Sequence, residues 1–173
     1  MWKSITGYKG IYEISDAGEI KSIQRVITDA VGHTYTIRER ILKTYQLPNG
    51  YLTVTLCKNN QTQRYYIHRL VAETFIPNPL NLPIINHKNG NKQNCHVYNL
   101  EWSTYSDNNQ HAYDTGLKPR GEGQYKAVLT EQQVREIKRL GKYTTYQAIA
   151  DKYNVTKATI RDVLIGKTWK TIY

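Results

Sequence analysis

The stretch from Pro83 to His111, PIINHKNGNKQNCHVYNLEWSTYSDNNQH, constrains this chain more than any other. It holds three of the five histidines and a dense set of asparagines. Ile84 and Ile85 lead into Asn86 and His87, and Lys88-Asn89-Gly90-Asn91-Lys92 is turn chemistry, because Asn and Gly tolerate positive φ. Leu100 and Trp102 then alternate with Asn99, Glu101 and Ser103, the period of a strand. Ser106 or Asp107 is expected to cap a helix running through His111 to Tyr113. The stretch therefore predicts strand, polar loop, strand and helix.

That order resembles the ββα-metal nuclease finger of the HNH family, and phage and intron-encoded HNH homing endonucleases above all. The resemblance rests on Asn86-His87, on Asn99-Leu100-Glu101-Trp102 and on Asn108. It implies that His87 is the general base, that Asn99 bonds backbone across the finger and fixes His87, and that Asn86 and Asn108 hold a metal. His111, three residues beyond Asn108, is a reserve neighbour on the same helical face. The residue types suit the chemistry. Cleaving a phosphodiester needs an oxygen nucleophile, a group to take its proton, and positive charge at the phosphate. A neutral imidazole takes protons near pH 7. Amide oxygens are hard ligands suited to one magnesium or manganese ion. They carry no charge, so phosphate oxygens and water must complete the shell, and weak metal binding without DNA is expected. Asn86 stands where many members carry Asp, and Cys95 where a second Asn is common.

The formal net charge of +10 over 173 residues favours a polyanionic partner, double-stranded DNA first. No apolar run approaches the roughly 18 residues that a membrane helix needs. The start Met1-Trp2-Lys3-Ser4 lacks the apolar core of a signal peptide, so a cytoplasmic protein is expected. Cys57 and Cys95 fit two thiols in a reducing compartment, with a disulfide between them as the alternative. Without a CxxC pair no structural zinc is expected.

Towards the N-terminus, Gly10 to Ile14, the turn Ser15-Asp16-Ala17-Gly18 and Glu19 to Ile23 read as a hairpin. Its Tyr-x-Ile-Ser-Asp-x-Gly-x-Ile-x-Ser pattern resembles the small N-terminal module of many phage HNH endonucleases, which implies a part in gripping DNA. Tyr35 to Leu42, Tyr51 to Leu56 and Gln63 to Ile67 are further strand candidates. His68 to Phe75 reads as a short helix with Leu70, Val71, Ala72 and Phe75 inward, stopped by Pro77 and Pro79. In the resemblance this helix packs beside the finger. Arg69, Lys88, Lys92 and His111 are the candidates for DNA phosphate near the cut.

Asp114 to Ala127 carries Gly116, Pro119, Gly121 and Gly123, which deny it a regular element. It reads as an extended linker of up to about 45 Å, with Lys118, Arg120 and Lys126 available to phosphates. Beyond it Thr130 and Gln133 form a capping box. Thr144 or Thr145 caps a second helix, Asn154 suits a left-handed turn, and Thr156 caps a third. Ala148-Ile149-Ala150 through Val163-Leu164 resembles a helix-turn-helix, whose last helix would enter the major groove. Lys157, Thr159 and Arg161 are then the base-reading candidates, Arg161 for guanine. Residues 118–173 hold 12 basic and 5 acidic side chains, a net of +7, against +3 for residues 1–117.

The expected architecture is α+β: an antiparallel N-terminal β module over 1–67, the nuclease core over 68–115, a linker over 116–127 and a helix-turn-helix over 128–173. The expected function is a monomeric, site-specific homing-type endonuclease, nicking one strand because one finger holds one metal. A DNA-binding regulator with an inactive finger is the rival, and a nuclease with little sequence preference is a third reading. The former is opposed by the intact Asn86-His87, Asn99, Asn108 order, the latter by the helix-turn-helix.

Overall fold

The computed structural model describes residues 1–170 and 172. In chain order, β1 (Trp2–Ser4), β2 (Tyr12–Ser15) and β3 (Ile20–Ser22) are followed by β4 (Arg25–Thr28), β5 (Thr34–Ile37), β6 (Arg40–Ile41), β7 (Tyr45–Gln46), β8 (Leu52–Lys58) and β9 (Gln61–Tyr66). Helix α1 (Ile67–Phe75) leads to β10 (Ile84–His87), β11 (Leu100–Ser103) and α2 (Tyr105–Asp114), and then come α3 (Glu131–Leu140), α4 (Tyr146–Tyr153) and α5 (Lys157–Leu164). The fold is α+β, and every sheet is antiparallel.

The chain forms four sheets, three of them in place of the single N-terminal sheet expected and the fourth in the finger. They are β1-β2-β3-β6, the ribbon β4-β5, β7-β8-β9, and β10-β11. The expected strand from Tyr35 to Leu42 is two strands with different partners. Thr34–Ile37 pairs back on β4, whereas Arg40–Ile41 leaves that ribbon and pairs with β3. Alternation alone cannot show where a strand changes partner.

The chain divides into two compact units, Met1–Ala112 and Tyr113–Tyr173, each with its own core. In the first, the completely enclosed Ile14, Ile20, Leu56, Ile67 and Val71 come from the N-terminal sheets and from α1. Ile85 and Leu100 of the finger join the same cluster. The expected division near residue 67 is therefore no boundary of packing. Helix α1 buries Ile67, Leu70, Val71 and Ala72, one stripe at helical spacing, and stops where Ile76 turns extended ahead of Pro77.

The turn Ser15–Gly18 also meets the finger directly. Val97 N–H donates to Asp16 C=O at 2.8 Å. Gly18 has φ +88°, and a Cβ there would stand 3.0 Å from Cys95 Cβ and 3.2 Å from Ile67 Cγ2. Cys95 is buried and Cys57 exposed, both as free thiols. Burial pushes the Cys95 thiol up to about 11, so it is an inert packing group.

In the second unit, Leu129, Val134, Ile137, Ile149, Ala150, Ile160 and Val163 form the core. Thr130 and Gln133 make the reciprocal capping box, Thr145 caps α4 and Thr156 caps α5. Asn154 takes φ 52°, ψ 47°, closing the three-residue turn between α4 and α5. The expected extended linker is shortened. Gly121–Gly123 forms a 3₁₀ turn, and a Cβ on Gly121 would be 2.7 Å from the Trp169 ring. Glu122 also accepts the first helical N–H of α3, from Glu131. Glycine-rich sequence marks both tethers and tight approaches, and here part of it is an approach. No helix among the described residues is long and apolar enough to cross a membrane.

Candidate active site

β10 and β11 pair in the register Ile84↔Ser103, Ile85↔Trp102, Asn86↔Glu101 and His87↔Leu100. Opposed residues share a face. His87 thus lies on the side of Ile85, Leu100 and Trp102, which packs on the core, and Asn86 lies with Glu101 on the other side. Asn86 and His87 are both buried, at 6% and 5% exposure.

His87 belongs to a cluster of rings drawn from three places in the chain. Tyr51, just before β8, and His68, in the first turn of α1, lie with their ring centroids 5.9 and 5.1 Å from that of His87. Tyr51 and His68 are 4.9 Å apart. His87 Nε2 and His68 Nδ1 are sealed from solvent without a hydrogen-bond partner, two of the three such side-chain atoms among the described residues. His87 Nδ1 makes no hydrogen bond among the described residues and is not sealed in this way. Burial, and then the Lys92 ammonium, hold His87 below the usual histidine range. Burial, then His87 and Arg69, push His68 down to about 4. Both imidazoles are therefore neutral near pH 7.

Asn99 closes the loop that follows His87. Its Oδ1 accepts from Asn89 N–H at 3.1 Å, and its Nδ2 donates to Asn94 C=O at 2.8 Å. It holds backbone on both sides of the loop, and among the described residues its side chain makes no hydrogen bond to the His87 ring. Lys88 N–H donates to Asn99 C=O at 2.8 Å, extending the ladder one step past the strand. His111 Nε2 lies 3.0 Å from Lys88 C=O, which ties α2 to the same loop. Asn108, half-buried and three residues earlier, shares that face of α2. Thr104 caps this helix rather than Ser106 or Asp107. Its Oγ1 accepts from Asp107 N–H at 3.0 Å and donates to the Asp107 carboxylate.

The donor set fits a hard divalent cation. Asn86 Nδ2 donates to Glu101 Oε1 at 2.8 Å, so the amide oxygen is the donor Asn86 has left. No group of three or more His, Cys, Asp or Glu side chains suited to a metal occurs among the described residues. A cation held here would find amide oxygens, with water and its substrate adding to the shell.

The basic candidates around the finger are oriented by the fold. Arg69 Nη2 donates to Pro83 C=O at 3.2 Å, with Glu73 3.5 Å from Nη1. Lys88 Nζ donates to Tyr98 C=O and Lys92 Nζ to Asn49 C=O. Each ammonium has three N–H groups, so these bonds leave donors over. In the second unit Arg120 pairs with Asp114, and Lys118 and Arg120 lie over the Tyr113 ring. Lys126 is exposed. Lys157 is exposed at the start of α5, the Thr159 hydroxyl faces Thr156 at 2.9 Å, and Arg161 is held by Asp162 at 2.9 and 3.0 Å. The sequence gives Glu101 and Tyr51 no role of their own, and His68 there is only the start of a helix. Their common signal is register and tertiary contact, which spacing alone does not carry.

Residues 1–57 match the NUMOD4 motif, and residues 65–110 match the HNH endonuclease family. The chain is 28% identical over 169 residues to the DNA endonuclease I-HmuI of Bacillus phage SP01, covering 95% of this chain and 90% of that one. It is 31% identical over 142 residues to YosQ, named as an HNH homing endonuclease derived from the SPbeta prophage of Bacillus subtilis, covering 76% of this chain and 78% of YosQ. An uncharacterized HNH endonuclease of Acanthamoeba polyphaga mimivirus is 38% identical over 117 residues, 68% of this chain but only 31% of the viral protein. The solved structure of I-HmuI, described as showing DNA binding and cleavage, aligns with a TM-score of 0.56 at 25% identity, over 96% of this chain and 90% of that one. With a NUMOD4 motif ahead of its finger, the chain belongs to the family of HNH homing endonucleases, enzymes that hydrolyse phosphodiester bonds.

Proposed function

We propose that this chain is a site-specific DNA endonuclease that nicks one strand of a duplex, with His87 as general base and Asn86 and Asn108 as the protein ligands of one magnesium or manganese ion. The observation that carries this is the His87 ring, walled by Tyr51 and His68, neutral, and with Nδ1 as its one unsealed nitrogen. His87 Nδ1 takes a proton from the attacking water, while the buried Nε2 keeps its own. Asn99 is a positioning residue, fixing the loop after His87 through Asn89 and Asn94. When bound, the cation supplies the positive charge that offsets negative charge growing on the phosphate and leaving oxygen. Arg69, Lys88, Lys92 and His111 bring further donors to the phosphates on either side. One finger offers one such site, which is the basis for nicking rather than a double break.

Sequence choice is assigned to α5 with Lys157, Thr159 and Arg161, and phosphate contacts outside the finger to Lys118, Arg120 and Lys126. The test is incubation of supercoiled plasmid carrying candidate target DNA with the whole protein and magnesium or manganese, beside His87→Ala. Open-circular product from the wild type alone supports the reading. Equal cleavage by the variant would sink the role of His87, and binding without cleavage by either protein would turn the reading to a DNA-binding regulator.

A further inference from the structure

The side of the β10-β11 ribbon away from His87 carries a feature that the roles above leave unused. Asn86 and Glu101 are opposed in register, joined by the 2.8 Å bond from Asn86 Nδ2 to Glu101 Oε1. Asn86 is buried at 6% exposure, whereas Glu101 is half-buried, so the carboxylate is the more exposed member of the pair. Among the described residues Glu101 has no ion-pair partner, and its second oxygen accepts no hydrogen bond. An ionised carboxylate offers about four lone-pair positions, of which the Asn86 amide uses one. Its charge is thus held beside an amide that has none.

A carboxamide is a two-ended group, and which end faces a cation decides whether it attracts or repels. The N–H end of Asn86 is spoken for by Glu101, which turns the oxygen the other way. The same contact places the carboxylate beside the amide that carries that oxygen. We propose that Glu101 is the charge-bearing half of the metal site: Asn86 supplies the oxygen donor, and Glu101 orients it and supplies the negative charge that a carboxylate at position 86 would otherwise bring. The two tasks of one acidic ligand are thereby divided between facing strands. This rests on the reading of Asn86 as a metal ligand.

The test uses the full chain and Mn2+ alone, with the free ion followed by electron paramagnetic resonance and the fold by circular dichroism. Asn86→Ala and Asn108→Ala examine the underlying reading. If both bind Mn2+ like the wild type, the metal assignment itself is wrong. With that assignment standing, Glu101→Gln keeps an acceptor oxygen for Asn86 Nδ2 but removes the charge, and should weaken Mn2+ binding about tenfold or more. Asn86→Asp combined with Glu101→Gln returns one negative charge to the pair and should bring affinity back to within about threefold of wild type. Affinity of Glu101→Gln within about twofold of wild type overturns the proposal, as does a double variant no tighter than Glu101→Gln. Asn86→Asp alone guards against a Glu101 variant that does not fold. With both carboxylates present it should bind Mn2+ about tenfold tighter than wild type, and no gain there overturns the proposal as well.

Discussion

The residue on which the proposed chemistry rests is His87, and the fold spends stability to place it. A buried polar atom without a partner costs about 1–3 kcal/mol, and Nε2 of His87 and Nδ1 of His68 are two such atoms in rings that meet edge to face. His87→Ala is expected to lower plasmid cleavage by about 10²–10⁴-fold, the range for loss of a general base, while its thermal midpoint stays near that of the wild type. His68 gives a pH signature of stability. Its pKa is lowered from 6.5 to about 4 in the folded chain, so below pH 6.5 the unfolded state binds the extra proton and the folded state does not. Stability from this group is full above pH 6.5 and is lost as pH falls towards 4. Urea unfolding at pH 7 and pH 4.5 should show that His68→Phe removes about 2 kcal/mol of that acid sensitivity, less than the whole shift implies because the ring is only half-buried. Asn99→Ala removes both side-chain ties of the loop, at about 1–3 kcal/mol in unfolding free energy. Its cleavage defect should appear in kcat more than in DNA affinity, measured by single-turnover kinetics.

At the scale of elements, what could be read ahead was whatever is decided locally. The hairpin around Ser15–Gly18, helix α1 and all three caps of the C-terminal helices come from neighbouring residues, and they lie where turn and capping chemistry places them. The partition of Thr34–Ile41 between two sheets did not, because both halves alternate alike and only the partner differs. The cap of α2 was misplaced by two or three residues for a related reason. Thr104, Ser106 and Asp107 are all competent caps, and where β11 ends selects among them. The Asn86–Glu101 pair is the clearest case in the site. Both residues are plain in the sequence, but a twelve-residue loop leaves their register open, and a one-residue slip would turn Glu101 to the other face. In the second unit, Thr156→Ala should cost about 1 kcal/mol by loss of the cap on α5. Arg161→Ala, in competition binding against single-base variants of the target, should relax discrimination at one position by about 1–3 kcal/mol.

For the whole molecule, two cores mean two cooperative units. Scanning calorimetry should resolve two transitions, and Ile160→Ala, which empties a completely buried position of the second core, should lower one of them and leave the other in place. The first unit is not divisible in the same way. Gly18 bears on Cys95 and Ile67 at a φ that side chains rarely adopt, so Gly18→Ala should destabilise that unit by about 2 kcal/mol or more. That contact joins the NUMOD4 segment to the finger across the point where the two matched stretches of sequence separate. Its consequence concerns recombination. A graft that replaces residues 1–57 with another protein's module must also supply a turn that fits Cys95, or bring its own finger loop, whereas a crossover near residue 113 cuts through neither core. On the proposed base reading by α5, new target preferences are more readily acquired by exchanging the C-terminal unit, and the N-terminal module is inherited together with the finger it is built into.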